Sequence, residues 1–253
     1  MISNNILDVI GDTPLIQIHC LGNREKNIRV FGKLESVNPG SSVKDRSAMQ
    51  LIEAAEKSGA LKPGDTIVES SSGNMGHALA MICAVRKYKF ICILDPKTPK
   101  SNIALVKAFG GSVEIMTEKD SSGGYQKNRI QMARNIAQNM NNCVNLDQYN
   151  NNAALDAHYH HTGPEIFKQL DGDIDVLMGC VSTGSHLCGT AKYLKEQLPK
   201  LRVVGVEPKG SVIFGGTYKP FLQNGTGLSF TPGNYLQVHV DEEVRVKDRD
   251  AFS

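Results

Sequence analysis

TIVESSSGNMGHALAMICAVRKY, residues 66–88, reads as a strand, a loop and a helix in direct succession. The β-branched residues of TIVES suit a buried strand, Ser70 to Asn74 form a loop of small polar residues, and an apolar helix opens near Met75. Working outward, KFICILD (89–95), SVEIMT (112–117), DVLMGCVS (175–182) and RVVGVEP (202–208) repeat the theme, each short β-rich run following a longer helix-like segment. The alternation predicts an α/β fold of βαβ units with parallel strands and helices on both faces. In such sheets ligands sit outside the carboxyl ends of the strands, which is where glycine and serine cluster here.

The 253 residues suffice for one large domain or two modest ones. No repeat, low-complexity tract or Pro-rich linker separates two halves, so any second domain is interleaved with the first. A hydrophobic fraction of 40% and a charged fraction of 21% are those of a soluble globular protein. The net charge of +2 gives no footprint for nucleic acid or an anionic membrane. The opening MISNNILDVIGDTPL lacks the flank and apolar core of a signal peptide, and no run is long enough to span a bilayer, so a cytoplasmic location is expected. The cysteines at 20, 83, 92, 143, 180 and 188 show no C-x-x-C pair or zinc spacing, so they read as reduced thiols, several in the core.

Three segments carry chemistry. In NPGSSVKDR (38–46) a turn delivers Lys44 to the start of the helical pattern SAMQLIEAAEKSGAL; the lysine either simply begins that helix or serves a site. In ESSSGNMG (69–76) the unpaired N–H groups of a helix start can hold a carboxylate, although Ser and Asn equally serve as caps. In DVLMGCVSTGSHLCGTAKYLKE (175–196) a small-residue junction lets the backbone approach a phosphate, with hydroxyls from Ser182, Thr183 and Ser185. A lysine, an anion loop with Asn and a phosphate loop suit a cofactor bearing an aldehyde and a phosphate.

The series NPGSSVKDR, ESSSGNMG, TGPEI (162–166) and VSTGSHLCG (181–189), beginning with IGDTPLIQI (10–18), resembles the cysteine synthase family of fold-type II pyridoxal-phosphate (PLP) enzymes. The resemblance covers essentially the whole chain. It implies the tryptophan synthase β-like fold, with two interleaved open, mostly parallel sheets flanked by helices. Residues 1–37 and 151–253 would form the large PLP-binding domain and 38–150 the small mobile substrate domain. Pyridoxal 5′-phosphate would be bound through Lys44, which also moves the substrate α-proton. Asn74 would meet the cofactor ring, and Ser182, Thr183, Gly184, Ser185 and His186 its phosphate. Ser71, Ser72, Gly73, Met75 and Gln148 would take the substrate carboxylate, and Gly225 lies in NGTGLSF (224–230), similar to the family's glycine-rich loop beside the ring.

The implied reaction is β-replacement on an activated L-serine, O-phosphoserine or O-acetylserine, through an aminoacrylate. ILDPK, DSSGGYQKNRI, DQYNN, HYHHTGPEI, VSTGS and KGSVIFGG look less like sulfide-using cysteine synthases than like siblings that add the amine of glutamate on the way to 2,3-diaminopropionate, a siderophore precursor. Tyr149 and Ser182 stand where cysteine synthases usually carry Phe and Gly, which suits a more polar nucleophile. Arg129 is a candidate for a substrate phosphate or carboxylate, against a solvated helix face; Tyr149 reads equally as a core aromatic. The run His158 to His161 with Glu165 suggests a metal, but the family motif it falls in holds none, and no metal is expected. The resemblance implies small amino-acid substrates, a homodimer, and a cleft able to dock a partner's C-terminal peptide.

VHVDEEVRVKDRDAFS (238–253) reads as a strand and the first turn of a helix. The family continues with a strand and a Gly/Ser turn whose hydroxyl meets the pyridine nitrogen, so a C-terminal part appropriate to the fold is expected to be missing. A module that binds PLP or a partner without turnover is the reading of another class.

Overall fold

The structure is a computed structural model that describes residues 2–21, 28–121 and 123–253; Met1 and Ser122, which fall in quoted stretches, lie outside the described residues. Lys44–Lys57 is helix α1, begun where Ser42 Oγ accepts the Lys44 N–H at 2.9 Å and ended with Lys57 against the helix dipole. The lysine singled out from sequence is therefore the first helical residue.

β3 (Thr66–Ser70) is buried at every position, as expected of a central parallel strand. It pairs in parallel with β4 (Lys89–Leu94) and β6 (Cys143–Asn145), and β4 pairs with β5 (Ser112–Ile115), giving the order β5-β4-β3-β6. Helix α2 (Asn74–Arg86) follows β3 and is apolar on all sides, with Met75 to Cys83 buried throughout, the signature of an interior helix. Each fully buried Ile or Leu of this core contributes about 1.5–3 kcal/mol. α3 (Lys100–Ala108) and α4 (Gln126–Asn139) complete the crossovers. One apolar core joins α1, α2 and β3, and a smaller one lies under α4 around Val68, Ile93 and Ala133.

A second parallel sheet has the order β7-β8-β9, from β7 (Val176–Cys180), β8 (Arg202–Pro208) and β9 (Glu242–Val246), with its own core around Leu187, Val203 and Ile213. Helix α7 (Ser185–Gln197) follows β7. β1 (Leu15–Gln17) and β2 (Phe31–Lys33) form an antiparallel pair. The two parallel sheets match the expected class. Among the described residues β7 is an edge strand, with Val176 and Met178 exposed at 48% and 65%. The last residues form β9 and the short helix α8 (Asp248–Ala251).

Between the sheets, α5 (Ala153–Ala157) runs into a π-helical turn, His158–Thr162, and then α6 (Gly163–Gln169). Buried Arg46 of α1 ties this stretch down. Its guanidinium donates to Glu165 (2.6 and 2.7 Å), Glu35 (2.8 and 3.0 Å) and Thr13 Oγ1 (3.1 Å). Burial works to raise the Glu165 carboxyl, but the hydrogen bonds from Arg46 and Lys33 prevail and hold it down at about 2. Among the described residues no helix is long and apolar enough to cross a membrane.

Candidate active site

A cavity of about 380 Å³ opens at the carboxyl ends of β3 and β7. Lys44, Ser71, Ser72, Gly73, Asn74, Met75, Arg129, Gln148, Tyr149, Ser182, Thr183, His186 and Gly225 all line it, so nearly every residue singled out in the sequence converges on one space. Gly184 and Ser185 do not line it. Gly184 turns left-handed (φ +86°) with its backbone close against Asn234 and Tyr235, and Ser185 is buried beside it.

Lys44 keeps some surface towards the cavity, yet burial pushes its ammonium down to about 8. Next to it, Asp45 accepts the Gly40 N–H, and burial raises its carboxyl to about 6. The free amine is thus accessible near neutrality, as a nucleophile or base requires.

The loop after β3 is held by its own serine. Ser71 Oγ accepts the N–H groups of Gly73 (3.3 Å) and Gly76 (3.1 Å), which turns the loop into the start of α2 with its first N–H groups facing the cavity. Opposite, Gln148 donates from Nε2 to Ser70 O at 2.9 Å. Beneath both, buried Glu69 accepts the Ser70 N–H (2.9 Å) and the Gln148 N–H (3.3 Å); burial raises its carboxyl to about 8.

The loop after β7 is held from outside. Val181 O accepts from Gly227 N–H and Thr226 Oγ1, both at 2.8 Å, which clamps the glycine-rich loop to the phosphate loop. Thr183 Oγ1 and Ser185 Oγ lie 3.3 Å apart. His186 is held neutral, driven down to about 3 by burial and by Lys44, and its Nδ1 is buried without a hydrogen-bond partner.

Arg129 is 6% exposed, which overturns the solvated-face alternative. Its Nη1 is ion-paired with Asp95 Oδ2 at 3.2 Å, Nη1 and Nε are buried without a hydrogen bond, and the residue lines the cavity. Tyr149 is both core and wall: 5% exposed, with its ring edge-on to Phe230. The histidine run divides. His158 is buried with its two ring nitrogens engaged, by Ser47 Oγ and Thr162 Oγ1 at 2.9 Å each, while His160 and His161 are exposed.

Sequence reading missed Gln126, Cys180 and Ser42 on the wall, and Asn234 behind it. Gln126 lies within the quoted stretch 120–130 but carried no chemical signal; its Oε1 accepts from Ser229 Oγ across the cleft at 3.3 Å.

The residues fit a phosphorylated aldehyde. A lysine of depressed pKa, two helix starts for two anions and a histidine with an orphaned ring nitrogen border a space the size of a small cofactor and substrate. A family model described as "Pyridoxal-phosphate dependent enzyme" matches residues 6–253. The chain belongs to that family. Its cofactor is pyridoxal 5′-phosphate, and the chain is an enzyme of the cysteine synthase type acting on small amino-acid substrates. Over 251 residues it is 39% identical to N-(2-amino-2-carboxyethyl)-L-glutamate synthase of Ralstonia nicotianae, covering 99% of this chain and 74% of that protein. Identity to the enzyme of the same name from Cupriavidus metallidurans is 38%, covering 99% and 73%. A hydrogen sulfide-producing enzyme of Fusobacterium nucleatum superposes with a TM-score of 0.89 at 35% identity, covering 99% of this chain and 83% of that one.

Proposed function

We propose that this PLP enzyme replaces the leaving group on Cβ of an activated L-serine, O-phosphoserine in preference to O-acetylserine, with the amine of glutamate. Sulfide is the alternative nucleophile. The observation that carries the choice is that Arg129, Tyr149 and Ser182 line one cavity, a cationic and hydroxylic wall suited to an anionic group beyond the first carboxylate. The names of the curated relatives support it.

When bound, PLP supplies an electron sink that allows Cα to lose its proton. The rest falls to the chain. Lys44 would hold the cofactor aldehyde and then carry the α-proton. Ser71, Ser72, Gly73, Met75 and Gln148 would bind the amino-acid carboxylate and fix the Cα–H direction. Asn74 would donate to the cofactor ring, and Ser182, Thr183, Gly184, Ser185 and His186 would hold its phosphate. Arg129, Tyr149 and Gly225 would position the leaving group and the incoming nucleophile. Residues 38–150 would close as the small domain on 1–37 with 151–253, excluding water; the two separate parallel sheets support that division, while Leu7, Ala153 and Ala154 pack into the core of the first. A cytoplasmic homodimer, whose cleft would also take the terminal carboxylate of a partner peptide, completes the proposal.

The test is to supply PLP, then O-phospho-L-serine or O-acetyl-L-serine, then glutamate or sulfide, and weigh the products by mass spectrometry. A glutamate adduct formed from O-phosphoserine is expected; product from sulfide alone would overturn the nucleophile. Lys44→Ala should remove the visible band of the lysine-bound cofactor and cut turnover by about 10³-fold or more. Full activity in that variant would refute the lysine's role.

A further inference from the structure

Asn234 lines no part of the cavity, yet it touches both halves of its wall. It is completely buried, in the segment that follows the glycine-rich loop. Its Nδ2 donates to Gln148 O at 2.9 Å and to Ser185 Oγ at 3.3 Å, and its backbone N–H donates to Tyr149 O at 3.0 Å. Its carbonyl oxygen lies 2.8 Å from where a side chain on Gly184 would begin. One amide group therefore bridges the turn that carries Gln148 and Tyr149 and the loop that runs from Ser182 to His186. The Asn234 Oδ1 is buried without a partner, so a buried polar cost is accepted to keep this residue in place.

We propose that Asn234 is a positioning residue that sets the spacing between the phosphate loop and the Gln148–Tyr149 turn, acting on cofactor retention through Ser185 and on amino-acid binding through the Gln148 carbonyl. The proposal rests on the reading that Ser182–His186 hold the cofactor phosphate and Gln148 the substrate carboxylate. Asparagine suits the task because its two N–H bonds diverge from one planar group and reach two acceptors at once. A leucine of nearly the same shape reaches neither.

The experiment compares the native chain, Asn234→Leu, Ser185→Ala and the double variant. PLP dissociation constants come from titration of the apo-protein, and the KM for O-phospho-L-serine is measured at saturating PLP. Asn234→Leu should weaken PLP about tenfold, the loss of about one buried hydrogen bond, and raise the KM severalfold with a smaller change in kcat. In the Ser185→Ala background the PLP effect of Asn234→Leu should vanish while its effect on KM persists. Equal PLP losses in the two backgrounds, or a KM unchanged by Asn234→Leu, would overturn the proposal. If Asn234→Leu does not fold, hydrogen exchange on the native chain decides: PLP should slow exchange in residues 232–236, and protection confined to the cavity-lining segments overturns the role. A native chain that takes up no PLP would instead defeat the functional reading, which separates the two failures.

Discussion

The loops after β3 and β7 solve one problem in opposite ways. Each leaves a parallel strand, turns through small residues and enters a helix, presenting unpaired N–H groups to the cavity. The loop of Ser71 to Met75 is braced from close by: its own Ser71 hydroxyl accepts the N–H groups of Gly73 and Gly76, and Asn102 of α3, a helix of the same sheet, donates to Ser72 O at 2.8 Å. The loop of Ser182 to His186 depends on the chain after residue 224: Thr226 and Gly227 hold Val181, Asn234 holds Ser185, and Gly184 fits against Tyr235 only for want of a side chain. A loop braced by itself and by its own sheet's strands and helices can move as a unit with that sheet. One braced by a distant segment stays fixed to that segment, which suits the permanently held cofactor rather than the substrate that comes and goes.

Glycine substitutions break this comparison most sharply. At Gly184 a Cβ would lie 2.6 Å from Tyr235 Cα and 2.7 Å from Tyr235 N, on a backbone already at φ +86°. Gly184→Ala should cost about 2 kcal/mol or more at the loop and weaken PLP binding by about thirtyfold, read by titration of the apo-protein. At Gly73 a Cβ meets nothing within 4 Å, so Gly73→Ala should leave the fold and PLP affinity intact. Gly73 lines the cavity, and with a methyl group there the KM for the amino acid should rise about tenfold. If Gly184→Ala is tolerated, the external brace is not needed; if Gly73→Ala weakens PLP, the two loops are not independent.

Lys44 sits between the loops, and its titration sharpens the contrast. Burial lowers its ammonium from 10.5 to about 8, so the neutral amine predominates only above that pH. The rate at which the apo-protein captures PLP should climb about tenfold per pH unit below 8 and level off above it. A lysine that behaves as a surface amine would go on climbing past pH 10. The sign for stability agrees: from about 8 to 10.5 the unfolded chain binds more protons at this group, so the Lys44 contribution rises with pH across that window.

Most of this arrangement is written locally. Strand, loop and helix at residues 66–88, and again at 175–196, follow from apolar runs punctuated by Gly and Ser, and with NPGSSVKDR they supply much of the cavity lining. What local reading misses is contact between segments far apart in the chain. Asn234 bonds to residues 148 and 185, and nothing in PGNYLQ announces either partner. For Arg129 the sequence leaves a substrate contact and a solvated helix face both open, and its burial beside Asp95 arises only when α4 packs beside β4. The π-helical turn at His158–Thr162 is equally non-local, since Gly189 of α7 must fit against Leu155 O and His158.

The smallest effect concerns the wall rather than the loops. Tyr149 belongs to the turn held by Asn234, and Ser182 opens the phosphate loop, so these two hydroxyl-bearing lining residues come from opposite sides of the brace. Burial raises the Tyr149 hydroxyl above its usual range, so it stays protonated at any working pH and can donate to an anion. Tyr149→Phe with Ser182→Gly removes both donors and keeps the ring packed on Phe230, with little change in fold. Product formation with glutamate should fall by about tenfold, while release of the leaving group from O-phosphoserine, followed by inorganic phosphate, should fall less. An unchanged rate with glutamate would leave Arg129 alone to select the nucleophile. Equal losses in both steps would move the two hydroxyls to the first substrate, and the wall would then read the leaving group instead.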